Sequence, residues 1–163
     1  MAHTQTDQTV IDAYRDWLEA ALASEERLGP PERIDRPDGS NLATRFAIAP
    51  SVWVELAIRP VAGQLQASVL TDDRWISEEM EEAIQDSGDT MQEFVEMGFE
   101  DAGLEWIDPP VMHYREAGKL FYFSTPLDIQ SLADLNDDAL RTKTRQMVQG
   151  YCNAFSPVLA AKD

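Results

Sequence analysis

Three stretches of strict alternation, separated only by short turns, limit this chain more than any other feature. Phe46 and Ile48 alternate up to Pro50. Val52, Val54, Leu56 and Ile58 then share one face of a run whose other face carries Trp53, Glu55, Ala57 and Arg59, and Leu65, Ala67 and Val69 continue the pattern. A period of two marks a β-strand. Pro50-Ser51 and Ala62-Gly63 supply turn chemistry, whereas parallel neighbours would need a crossover of about a dozen residues or more, so the three runs predict an antiparallel meander.

Helical spacing frames this region on both sides. Between Thr9 and Leu28, Val10, Tyr14, Trp17, Leu18, Ala21 and Leu22 recur at steps of three and four, and Gly29-Pro30-Pro31 ends the helix. A polar loop is expected from Glu32 to Asn41. After the meander, Ser77 is the expected N-cap, with Glu78 and Glu79 suited to the positive end of a helix dipole. Met80, Ile84, Met91, Phe94, Val95, Phe99 and Ala102 keep helical phase across Gly88, which predicts one long helix, kinked at most. Leu104 to Ile107 has strand character, but Pro109-Pro110 pushes it to an edge or bulge. Val111 to Arg115 and Lys119 to Thr125 form a hairpin around Glu116-Ala117-Gly118, and consecutive Leu120, Phe121, Tyr122 and Phe123 point to a strand covered on both faces. Asn136 is the expected cap of a last helix, with Leu135 and Leu140 as its hydrophobic staple. The 163 residues are therefore expected to form one domain over 9–160, preceded by a flexible end at 1–8.

Charge narrows the partners. Thirteen basic against thirty acidic residues give a net charge of −17, which disfavours nucleic acid and anionic membrane surfaces and favours basic or neutral partners. From Asp72 to Asp108 there are fourteen acids and one base, Arg74, so the negative field is concentrated on the middle helix and its ends. Arg141, Lys143 and Arg145 make a small basic patch in the last helix, suited to an acidic surface of this chain or of a second copy, or simply to solvent. The hydrophobic share is 44%, within the globular range. No apolar run is long enough to span a membrane, and the polar start Met1 to Thr9 lacks the blocks of a signal peptide, so the chain reads as cytoplasmic.

No catalytic signature, cofactor motif or metal motif emerges. His3 and His113 are the only histidines, and a site using both would borrow a residue from a chain end; His113 reads as an ordinary strand residue. Cys152, the only cysteine, sits beside Val148 and Phe155 without a basic neighbour and reads as a buried structural thiol. Asp134-x-Asn136-x-Asp138 copies the start of a calcium loop, but Ala139 stands where the sharp turn needs Gly and Arg145 where the bidentate Glu belongs. Glu78, Glu79, Glu81 and Glu82 read as a solvated acidic face rather than a pair of unlike carboxylates.

Taken in order, helix, three strands, long helix, two strands and helix, with Leu120-Phe121-Tyr122-Phe123 leading into Leu127 and a capped helix after Leu135, the acidic chain resembles the type III secretion chaperone-like fold. That fold includes class I secretion chaperones and YbjN-type regulators. The resemblance covers Val10 to Leu159 and rests on element order, acidity and that pattern. It implies an α+β architecture, α-βββ-α-ββ-α, with a twisted antiparallel five-stranded sheet packed by the first and last helices. It implies a homodimer involving the middle helix and apolar patches for a client. Met91, Phe94, Val95 and Phe99 are the candidate dimer face, with packing against the chain's own sheet as the alternative. Trp53, Trp75 and Trp106 are the candidate partner-binding residues, with core packing as the alternative. The long Pro-rich segment from Gly29 to Asn41 and the pair Pro109-Pro110 depart from the chaperone pattern and favour the YbjN-like side. The expected function is a non-enzymatic, chaperone-like or regulatory module for a basic or amphipathic protein or peptide. The alternative is a small-molecule-binding protein or enzyme with a pocket near the sheet, which a concave pocket holding His113 and a carboxylate of shifted pKa would support.

Overall fold

The computed structural model describes residues 5–116 and 118–160. Helix α1 (Gln5–Leu22) is followed by β1 (Glu32–Asp35), β2 (Leu42–Ala49), β3 (Val52–Arg59) and β4 (Gln64–Thr71). Then come α2 (Arg74–Ser87), α3 (Met91–Asp101), β5 (Met112–Glu116), β6 (Leu120–Asp128), a 3-10 turn (Leu132–Asn136) and α4 (Asp138–Ala160). The fold is α+β, with four helices and one open antiparallel sheet in the order β1-β2-β3-β4-β6-β5. The meander expected from the alternation is β2-β3-β4, paired throughout as antiparallel neighbours.

Several expectations are corrected. The sheet has six strands, because Glu32–Asp35, expected in a loop, pairs with β2. All four of its residues are exposed, so no apolar alternation marks it. Salt bridges hold it instead: Arg33 reaches Asp16 and Glu19 of α1, and the buried Arg15 grips Asp35 through two 2.9 Å bonds while donating to the Ala43 carbonyl. Helix α1 begins at Gln5, ahead of the expected start at Thr9. Residues 1–4, with His3, and Ala117 of the hairpin loop lie outside the described residues. Residues 104–110 form no strand.

The single long helix is two. Gly88 takes φ +78°, a left-handed cap that an L side chain resists, and Thr90 opens α3 with a capping box to Glu93. The apolar phase survives because both helices face the same core. Asp73, not Ser77, caps α2; Ser77 lies buried inside the helix. Asn136 ends the 3-10 turn, and it is Asp137 that accepts the Leu140 amide at the start of α4.

Tyr151, Phe155, Met147 and Val148 of α4 join Val54, Leu56, Leu65, Val69 and Phe123 of the sheet in one core. Helix α3 packs against α4 where two glycines meet. A Cβ on Gly150 would run into the Phe99 ring, and one on Gly98 into the Gly150 carbonyl and, at 2.9 Å, Ala154 Cβ. Gly150→Ala is therefore expected to lower stability in urea by about 1–3 kcal/mol, as overpacking does elsewhere. A midpoint equal to the parent's would show that α3 shifts freely on α4.

Candidate functional site

The helices reach only one face of the sheet. The residues of β2, β3, β4 and β6 that point the other way include Ala43, Glu55, Ala57, Gln66, Ser68, Leu70, Tyr122 and Ser124, and all are buried. The sheet covers this face by rolling on itself. Flat, its edge strands would lie about 24 Å apart at the usual strand spacing. Yet Arg36, immediately after β1, meets Glu116 of β5 at 2.6 Å across the helix-free face. The register carries Asp35 level with Leu127 and Glu116 level with Leu120, so the approach runs along the sheet's diagonal.

The resulting trough has a polar floor. Arg45 of β2 and Glu55 of β3 are cross-strand partners joined at 2.6 Å, and Arg45 also donates to the Tyr122 hydroxyl at 3.3 Å. Gln66 Nε2 donates to the Tyr114 hydroxyl and to Ser124 Oγ, which shares a 2.7 Å bond with Ser68 Oγ. Tyr114 and Tyr122 stack with centroids 5.0 Å apart. Burial pushes the Glu55 carboxyl above its ordinary range, and the Arg45 guanidinium offsets only part of that rise. Toward the Arg36 end the trough opens into a cavity of about 530 Å³. None of these polar residues stood out in the sequence except through alternation, which placed Glu55 and Arg59 on the face away from the aliphatic row.

A second concavity, about 760 Å³, lies after α3 and is lined by Glu100, Gly103, Glu105, Trp106 and Ile107. Ile107 is 88% exposed. Trp106 is half-buried, stacked on Phe99 on one side and covered by the Lys143 ammonium, 4.0 Å from the ring centroid. The amide of Asp108 donates to Glu96 at 2.5 Å and ties the loop to α3.

The sequence-predicted residues separate accordingly. Val95 and Phe99 lie wholly inside the core, so they cannot form a dimer face while the chain is folded; Met91 and Phe94 are half-buried against the same core. Trp75 is 74% exposed on α2, whereas Trp53 is half-buried on the helix-free face opposite Leu70. Within the basic patch, Arg141 lies over the Trp17 ring and Lys143 over Trp106, so both meet aromatic surface of this chain rather than acids. His113 is on the helix-covered face, stacked on Phe123. Its Nδ1 faces the Tyr122 carbonyl at 2.8 Å and its Nε2 faces Glu81 at 2.5 Å, so both ring nitrogens are engaged. Glu55, a carboxyl pushed up by burial, is on the other face. Cys152 is buried beside Ser156 and its thiol is pushed up by that burial. Asp134 accepts the Gln130 and Ser131 amides. Among the described residues no group of three or more His, Cys, Asp or Glu is placed to hold a metal ion, and no helix is long and apolar enough to cross a membrane. No family model, curated protein or solved structure matches the chain.

The Arg45–Glu55 pair gives the first test of the trough. A carboxyl whose folded pKa is raised contributes stability that is present at acid pH and lost as pH rises through the folded value. Removing Arg45 enlarges the rise, so Arg45→Met should cost about 3–5 kcal/mol at neutral pH, as breaking buried pairs does. The deficit should shrink steadily on acidification toward pH 5. Urea unfolding across this range would detect it; a deficit independent of pH would mean that Glu55 is not the group left uncompensated.

Proposed function

We propose that the chain is a non-enzymatic binding module, chaperone-like or regulatory in kind, that receives a basic or amphipathic polypeptide segment at the groove after α3. The observation that carries this reading is the coincidence of exposed apolar side chains with the acidic field. Ile107, Met97 and Trp75 are 88%, 57% and 74% exposed, and all three fall within the segment holding fourteen acids against one base. Isolated exposed apolar residues are ordinary. Here Ile107 rims a concavity with an indole wall and two glutamates. Such a groove suits a partner that brings an apolar side chain flanked by Lys or Arg, because the field raises encounter rates and the wall supplies area to bury. Lys143 over Trp106 illustrates the contact from within the chain. The fixed polar groups of the trough, bonded to one another, support binding rather than turnover.

The type III secretion chaperone-like resemblance belongs to this proposal, although the element order α-ββββ-αα-ββ-α departs from it by the edge strand β1 and by the division of the middle helix. The homodimer implied by that resemblance belongs to the same proposal. With Val95 and Phe99 in the core, its contact falls to the outward sides of α2 and α3, around Trp75 and Met97.

Selection from a random-peptide display library is expected to yield sequences rich in Lys or Arg interleaved with apolar residues. Ile107→Ser, at a site that packs against little, should weaken the selected peptides at least tenfold, and added salt should weaken them further. Peptides without basic bias, or unchanged affinity in Ile107→Ser, would refute the groove. Sedimentation velocity should show a dimer at micromolar concentration that Met97→Asp dissociates; a monomeric parent chain would remove the dimer from the proposal.

A further inference from the structure

We propose that the trough on the helix-free face is a binding site for a small organic carboxylate with a flat apolar body. This site is separate from the groove after α3 and does not rest on the polypeptide reading. Its cavity of about 530 Å³ is the size of a small-molecule pocket and is lined by Arg36, Asn41, Arg59, Gln66, Met112 and Tyr114 among others.

Charge argues for an anion. Two arginine side chains, Arg36 and Arg59, line the cavity against one glutamate, Glu116, which Arg36 already pairs, while the Arg115 guanidinium lies over the Phe121 ring on the helix-covered face. In a chain of net charge −17 this is an inversion of sign, confined to one concavity. Arg59 donates through Nε to Asn41 at 3.1 Å, which holds the planar head of the guanidinium in place at the rim. The floor carries an unmet polar atom as well. Gln66 is completely buried and its Nε2 is engaged by Tyr114 and Ser124, while its Oε1 has no hydrogen-bond partner. An amide oxygen cannot bond a carboxylate, since both only accept; with oxygen and nitrogen exchanged, the oxygen accepts from the Tyr114 and Ser124 hydroxyls and the NH₂ group is left to donate to a bound carboxylate. Buried polar atoms are seldom left so in a finished interior, and they are tolerated where a ligand completes them.

Carboxylate is favoured over phosphate by what the walls are made of. The cavity residues come from strands and from the Arg36–Asn41 turn, so no helix N-terminus supplies the amide cradle that phosphate commonly uses. The donors present, a guanidinium fork and an amide, suit the planar two-oxygen group. Met112, exposed at the edge strand, and the stacked Tyr114–Tyr122 pair give the wall against which an apolar body can lie.

The test is an amide and side-chain NMR titration of the full chain at constant ionic strength with phenylacetate, succinate and inorganic phosphate as probes. Phenylacetate should give saturable shifts centred on Asn41, Arg59, the Gln66 side chain and Tyr114, with succinate weaker for want of an apolar body. Arg59→Gln should weaken phenylacetate at least tenfold, while Arg27→Gln, a charge change away from the trough, should leave it unaltered. Thermal unfolding checks each variant, and Arg36→Gln, at an exposed side chain, repeats the test if Arg59→Gln fails to fold. No saturable shift with either carboxylate would overturn the site. Phosphate binding as tightly as phenylacetate would overturn the carboxylate assignment, and undiminished affinity in a folded arginine variant would overturn the role of the guanidinium groups.

Discussion

Six strands lie in one sheet, but the helices cover only one of its faces, and most other features follow from that imbalance. Central strands left flat would expose their second side to water along its whole length. Rolling the sheet along its diagonal buries that side against itself, at the cost of desolvating the polar side chains that alternation places there. The Arg45–Glu55 pair and the Gln66–Ser68–Ser124–Tyr114 network are the response, since a buried polar group is tolerable only when matched. The Arg36–Glu116 bridge joins opposite edges of this roll, and the same curvature produces the cavity beneath it.

On the other face, helix α4 sets the positions of the rest. Its Gly150 admits the Phe99 ring, Asn153 donates to the Gly98 carbonyl at 3.0 Å, and Tyr151 and Phe155 carry the contact into the sheet. Thr144 accepts the Tyr14 hydroxyl at 2.7 Å and so joins α4 to α1. This close approach explains why Val95 and Phe99 belong to the core: with no Cβ at Gly98 or Gly150, α3 sits too near α4 for their side chains to turn outward. The far side of α3 carries the exposed Met97 and the acids.

The parts of the fold legible in the sequence are those written in apolar periodicity: α1, the β2-β3-β4 meander, the β5-β6 hairpin and the stripe of α4. What was not legible depends on contacts distant in sequence. Strand β1 is held to α1 by Arg15 of the helix on Asp35 and by its own Arg33 on Asp16 and Glu19, and its exposed residues carry no pattern of their own. The break at Gly88 is masked because α2 and α3 keep one phase toward one core. Asp73 and Ser77 are both good cap residue types; in the structure Asp73 accepts the Trp75 and Ile76 amides, while Ser77 is buried one turn inside the helix. For the trough, alternation assigned Glu55 and Arg59 to a common face, but nothing in the local pattern shows that the face is concave. That requires the pairing of Arg36 with Glu116, eighty residues apart.

Charge is distributed by function of place rather than spread for solubility. The acids collect on α2, α3 and the loop that follows, whereas under the roll of the sheet Arg36 pairs Glu116 and Arg45 pairs Glu55, which leaves Arg59 in excess and the trough locally positive. At physiological ionic strength such fields are screened beyond roughly 8 Å. The acidic field therefore acts on partners already close to the groove, and it does little to repel a small anion entering the trough on the far side. Glu100 and Glu105 of the groove are exposed, so salt screens them more fully than it screens the half-buried Arg59 of the trough. Binding at the groove should accordingly weaken more steeply with salt than binding in the trough. The two sites can then be told apart by ionic strength alone, even where a ligand carries both a basic segment and a carboxylate.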